Sequence, residues 1–190
     1  MARPSMREEI VAAALDQFHT HGFNAAGVKD ITDAAGVPKG SFYNHFDSKE
    51  ALAVVALQRY GTTRGLAELG DKSVPARQRL RAHFEFLRQE NEERDYTRGC
   101  LIGDFGAEIS DHSDVIRDAV KTSLASWGDV LAGAIADGQR EGTIRSGIDP
   151  KVTARFVLAA WEGTLIAMRA EKSSTTLDDF FEITFGSLLA

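Results

Sequence analysis

Along the whole chain, apolar residues recur three and four apart, the spacing that places them on one face of a helix. In Met6–His21 the face is Val11, Leu15 and Phe18, with Ile10 and Ala14 beside them. Gly22 closes that segment, because glycine accepts the left-handed backbone on which helices end. The short segment VKDITDAA follows and stops at Gly36, and Pro38 stands where a first helical turn tolerates it, opening PKGSFYNHF. Asp47 and Glu50 have the spacing of a capping box and start a longer helix to about Leu69, before a break from Gly70 to Pro75.

Further on, 75–93 presents Leu80, Phe84 and Leu87, while 100–110 is short, apolar and glycine-containing. From Ser113 to about Arg140, the residues Ile116, Val120, Leu124, Trp127, Leu131 and Ile135 form a sustained stripe. Asp149-Pro150 is a strong start signal, and the helix behind it carries Val152, Phe156, Ala159, Gly163 and Ile166 on one side to about Glu171. Thr176–Ala190 is the last segment, with Leu177, Phe181 and Leu188 inward. Nothing alternates with period two over a strand's length. The pattern predicts an all-α fold of about nine helices.

Composition adds little to the fold and more to the setting. The 190 residues are 43 % hydrophobic and 26 % charged, as in an ordinary globular chain. No apolar run is long enough for a signal peptide or a membrane span, and one cysteine builds no disulfide framework within the chain. A reducing, cytoplasmic setting is expected. Net charge is −6, and residues 1–60 hold six Lys/Arg against seven acids. Any binding of a polyanion must therefore come from local placement of charge.

Such a placement exists in PKGSFYNHF. Phe42 and Phe46 are four apart and share a buried face. At about 100° per residue the opposite face carries Gly40 and Asn44, flanked by Ser41 and Tyr43, with Lys39 on the first turn. Every outward group is small, hydrogen-bonding or cationic, and no carboxylate intrudes. Helix, glycine turn, helix is the layout of a DNA-reading motif, although the spacing alone also fits an ordinary helical corner.

The run GFNAAGVKDITDAAGVPKGSFYNHFDSKEAL, residues 22–52, resembles the N-terminal domain of the TetR family of bacterial repressors, through AAGV, the KGSFY core, the HF pair and SKE. The resemblance implies a three-helix DNA-binding domain at 1–47 and a larger effector-binding and dimerisation bundle at 48–190. Lys39, Gly40, Ser41, Tyr43, Asn44 and His45 are then the DNA-facing set, and Lys49 is the lysine that grips a phosphate. Lys39, Tyr43, His45 and Lys49 would position the module, Ser41 and Asn44 would read bases, and Gly40 would let the backbone approach the duplex. Arg3 and Arg7 are candidates for an N-terminal arm. One departure stands out: where many members carry Thr or Ser before the second helix, this chain has Ala26 and Gly27.

The family resemblance also implies a sequence-specific regulator, a repressor released from double-stranded operator DNA by a small-molecule effector. It implies a homodimer through the last two helices, about 150–171 and 176–190, with no membrane partner and no cofactor. The apolar residues on two sides of both helices fit such a dimer, which would set two reading helices about one DNA turn apart. The competing reading is a helical ligand-binding or scaffold protein without DNA binding.

An enzyme is not expected. Asp104, Glu108, Asp111, His112 and Asp114 form an acidic cluster that fits a metal or acid–base site less well than a solvated face, and no catalytic motif occurs.

TRGCLIGDFGAEISDHSDVIRDAV, residues 97–120, resembles a branch of the family with Gly-Cys-Leu at the start of the sixth helix, some of whose members respond to electrophiles, oxidants or small unsaturated acids. The candidate effector residues are Cys100, Arg98, Phe105, Trp127 and Trp161. Placed in a helix's first turn beside Arg98, the Cys100 thiol would have a lowered pKa. The other reading is that Cys100 packs as a small hydrophobe.

Overall fold

The computed structural model describes residues 5–190, and it is all-helical, as the periodicity predicts. The helices among the described residues are α1 (Met6–Ala25), α2 (Val28–Ala34), α3 (Lys39–Phe42), α4 (Lys49–Thr62), α5 (Ala76–Glu92), α6 (Leu101–Glu108), α7 (Asp114–Glu141), α8 (Pro150–Glu171) and α9 (Thr175–Ile183). None of these is long and apolar enough to cross a membrane.

Packing divides the chain into two compact units. One is the chain up to Thr62 together with Cys100–Ser123; the other is Thr63–Gly99 with Leu124–Ala190. α6 and the start of α7 thus belong with the N-terminal helices, a grouping of distant segments that local periodicity does not encode.

In the first unit α1 is the central element. Ile10, Val11, Ala14 and Phe18 are buried, as are Leu52, Ala53, Ala56, Leu57 and Tyr60 of α4. α1 packs against α2, α4 and α6. Gly22 sits at φ 81°, ψ 172° and breaks the helix, so the last turn of α1 is a separate turn after a kink. Only a residue without Cβ takes that conformation at no steric cost.

Both ends of α4 differ in detail from the sequence reading. Ser48, not Asp47, caps α4: its hydroxyl accepts from the Ala51 N–H at 3.1 Å. α4 ends at Thr62, and Leu69 is instead buried in a 3-10 turn, Glu68–Gly70. At α8 the expected cap forms, Asp149 accepting from the Val152 N–H at 2.8 Å.

The second unit is built on aromatic packing. Phe84 lies 5.2 Å from Trp161 and 5.0 Å from Phe180, ring centre to ring centre. Around them Arg79 is buried, donating to the carbonyls of Leu69 and Val74 and to Asp137. Arg64 pairs with Glu90. These charges are partnered, as buried charges must be.

His83 is a buried histidine of this core. The Trp127 indole N–H donates to its Nε2 at 3.0 Å, so the neutral ring is the one that fits. Burial, with a smaller push from Arg64 and an opposing backbone interaction at Gly65, lowers its pKa from 6.5 to about 4. Between those values the unfolded chain takes up a proton that the folded chain refuses. Stability should therefore fall as pH drops from about 6.5 to 4, at up to about 1.4 kcal/mol per pH unit from this group. Urea unfolding at several pH values should show that slope in the wild type and a shallower one in His83→Gln; equal slopes would contradict the assignment.

Candidate nucleic-acid interface and effector-side residues

The helix-turn-helix is assembled by two aromatic side chains. Phe42 and Phe46 are both buried, 5.7 Å apart, and hold the 39–46 segment against the first unit. That fixes what faces out. Lys39, Gly40, Tyr43, Asn44 and His45 are exposed and Ser41 is half-buried, with Tyr43 62 % exposed. Tyr43 packs edge-on to Phe42 at 5.0 Å, which restrains an otherwise free ring. The helical turn itself is brief, because α3 relaxes into turns after Phe42.

Where a capping Thr or Ser is missing before α2, Asp30 compensates in part. Its Oδ2 accepts from the Gly27 N–H at 3.2 Å, closing one half of a capping box from inside the helix. Arg7 stacks its guanidinium over Phe46 at 5.2 Å; Arg3 lies outside the described residues.

Lys49 points inward. Its Nζ donates to the carbonyls of Phe23 at 2.9 Å and Ala26 at 3.3 Å, and lies 4.2 Å from the centre of the Phe23 ring. The corner between α1 and α2 thus carries a cation on its carbonyl side. On its amide side the Glu108 carboxylate accepts from the N–H groups of Phe23 at 2.8 Å and Asn24 at 2.7 Å. Glu108 is the residue that reading the sequence missed: as one acid of a cluster it gave no local sign of a partner 85 residues away.

The acidic cluster disperses accordingly. α6 ends at Glu108, Asp111 and His112 lie exposed in the following turn, and Asp114 pairs with Arg117. Among the described residues no group of three His, Cys, Asp or Glu is placed to hold a metal ion.

Of the effector-side candidates, Cys100 and Phe105 belong to the first unit and Arg98, Trp127 and Trp161 to the second. Cys100 is the N-cap residue of α6, one position before the first turn expected for it, and it is 5 % exposed. Gly99 before it takes φ 69°. Phe105 packs edge-on to Phe18 at 5.5 Å and Phe23 at 5.8 Å. Trp127 and Trp161 are buried core rings, while Arg98 is half-buried. The second unit also has an open groove of about 390 Å³ lined by Pro75, Arg77, Gln78, Arg81, Thr143 and Phe185, none of which is among the effector candidates.

Residues 10–56 match the bacterial regulatory proteins of the tetR family, and residues 76–184 match the tetracyclin repressor-like C-terminal domain. The chain belongs to the TetR family. It is a helix-turn-helix, DNA-binding transcription regulator, as the family is.

Over its whole length this TetR-family chain is 37 % identical to the HTH-type transcriptional repressor DhaR of Mycobacterium sp. (strain GP1), covering 95 % of that protein. The solved structure of the regulatory protein TetR from Rhodobacter sphaeroides superposes with a TM-score of 0.88 at 28 % identity, covering 96 % of this chain and 98 % of that one. The reduced form of E. coli NemR gives 0.85 at 26 %, covering 98 % of each. TetR-family regulators bind operator DNA and act as dimers with small-molecule effectors.

The inward Lys49 generates a prediction. Replacing it by Met should lower the stability of the folded chain by about 1–3 kcal/mol, since two carbonyls lose a charged donor. Urea denaturation measures this; unchanged stability would mean that the amine is spare and available to a phosphate.

Proposed function

We propose that this protein is a homodimeric repressor that reads an operator with residues 39–45 and releases it when a small molecule binds or Cys100 is modified. The observation that carries the reading is the outward face of 39–46. It offers a cation, two side chains able to read base edges and a restrained tyrosine, with no carboxylate, in a chain of net charge −6. Support for repression comes from DhaR, itself named a transcriptional repressor.

Within the reading set, Lys39, Tyr43 and His45 meet phosphates, Ser41 and Asn44 meet bases, and Gly40 lets the backbone close on the duplex. Lys49 acts first through the corner it grips. The functional division is 1–47 for reading and 48–190 for effector binding and dimerisation.

The dimer forms through α8 and α9. α8 has two apolar faces. Ala154, Val157, Trp161, Leu165 and Met168 are buried within the second unit, whereas Val152, Phe156, Ala159, Gly163 and Ile166 are all exposed. Phe156 is 59 % and Ile166 67 % exposed, and Ile183 of α9 is exposed as well. Covering such side chains contributes roughly 1.5–3 kcal/mol each.

On the effector side, Cys100 and Phe105 in the first unit, and Arg98, Trp127 and Trp161 in the second, are the residues through which a ligand acts. Cys100 either reacts with electrophiles or oxidants, by analogy with the Gly-Cys-Leu branch, or lines the space where a small molecule binds. Its burial means that reaction requires α6 to open at its start.

Fluorescence anisotropy with a duplex from the protein's own upstream region tests the reading face. Tyr43→Ala should weaken binding about tenfold or more, since a hydrogen bond to a charged phosphate is worth about 1.5–3 kcal/mol, with the melting temperature unchanged because the ring is exposed. Undiminished binding would refute the assignment. Phe156→Asp with Ile166→Asp should give a monomer by sedimentation equilibrium and lose operator affinity with it; a dimer that persists would place the interface elsewhere.

A further inference from the structure

Glu108 closes α6 on one side of the corner formed by residues 22–26. Gly22 interrupts the α1 ladder, so the N–H groups that begin the next turn have no helical acceptor, like those at any helix start. The two oxygens of Glu108 take those of Phe23 and Asn24 at 2.8 and 2.7 Å. Gly22 also makes room for the carboxylate, since a Cβ there would stand 2.7 Å from Oε2. Phe23 is itself wedged between Phe18 and Phe105, the latter also on α6. Opposite, Lys49 of α4 holds the carbonyls of Phe23 and Ala26. The hinge leading into α2 and α3 is therefore held by an anion from α6 and a cation from α4.

We propose that Glu108 is a positioning residue for operator binding, tying the placement of α2 and α3 to that of α6. The inference rests on the DNA-binding reading above. Glu108 meets no DNA; it fixes the corner from which the reading helices leave α1. Because α6 runs from Leu101, just after its N-cap Cys100, to Glu108, a shift at its start reaches the corner along two turns of helix. Linkage then works in both directions: operator binding must also steady α6.

Electrostatics gives a test with opposite signs. Removing a carboxylate from a unit that approaches a polyanion should by itself strengthen binding. Loss of a positioning clasp should weaken it. The full chain, as wild type, Glu108→Gln and Glu108→Ala, is titrated against the upstream duplex at several salt concentrations. Amide exchange of peptides covering 23–27 and 101–108 is followed with and without the duplex.

Glu108→Ala should bind about tenfold more weakly, because the duplex must then order a corner that has lost its acceptor, at about 1.4 kcal/mol of the binding free energy. Glu108→Gln, which keeps one acceptor, should fall between. The salt slope should not change, because no phosphate contact is lost. The duplex should slow exchange in both peptides of the wild type but leave 101–108 unaffected in Glu108→Ala.

Binding as tight as wild type or tighter in either variant overturns the proposal, as does DNA-induced protection of 101–108 that survives in Glu108→Ala. If Glu108→Ala loses its helical circular dichroism, Glu108→Gln decides: with an unchanged melting curve, its affinity must still drop several-fold. A wild type that shows no salt-sensitive binding overturns the DNA reading and this inference together.

Discussion

The reading unit depends on one corner. At Gly22 the backbone leaves α1 at φ 81°, a conformation that strands the amides and carbonyls of the next few residues without helical partners. Stranded groups half-removed from water are costly unless another part of the chain meets them. Here the two kinds of group are met by two opposite charges, Glu108 for the amides and Lys49 for the carbonyls. The direction in which α2 and α3 leave α1 follows from that clasp.

Around the corner, apolar packing separates what holds from what reads. Phe42 and Phe46 turn inward, so Lys39, Gly40, Tyr43, Asn44 and His45 have no inner side to occupy. A net negative protein can thus present a carboxylate-free face over a few residues. The second unit solves a different problem with the same tools: α8 buries Trp161 on one face and leaves Phe156 and Ile166 uncovered on the other. The proposed dimer would cover that stripe.

Much of this was legible in the sequence, for reasons that are local. The pairing of Phe42 with Phe46, the break at Gly22, the Asp149-Pro150 start and the two-faced α8 all follow from helical geometry within a few residues. The TetR-family assignment rests on equally local runs, 22–52 above all. What was not legible lies in contacts distant along the chain or in choices between neighbours. Ser48 caps α4 although Asp47 has the better spacing for a box, because a single residue's shift in the helix start decides it. Lys49 reads as a surface cation until the Phe23 and Ala26 carbonyls are in place to receive it. Glu108 reads as one more solvated acid, and the His83–Trp127 hydrogen bond joins residues 44 apart. Neither leaves a periodic trace.

As proposed, the protein is a two-fold regulator that reads DNA through residues 39–45. Hydroxyl-radical footprinting of the upstream region in the presence of the full chain tests it most directly. Such a dimer should give two protected patches related by two-fold symmetry, with centres about 10 base pairs or a multiple of that apart. A single patch, or protection that shifts freely with sequence, would contradict it.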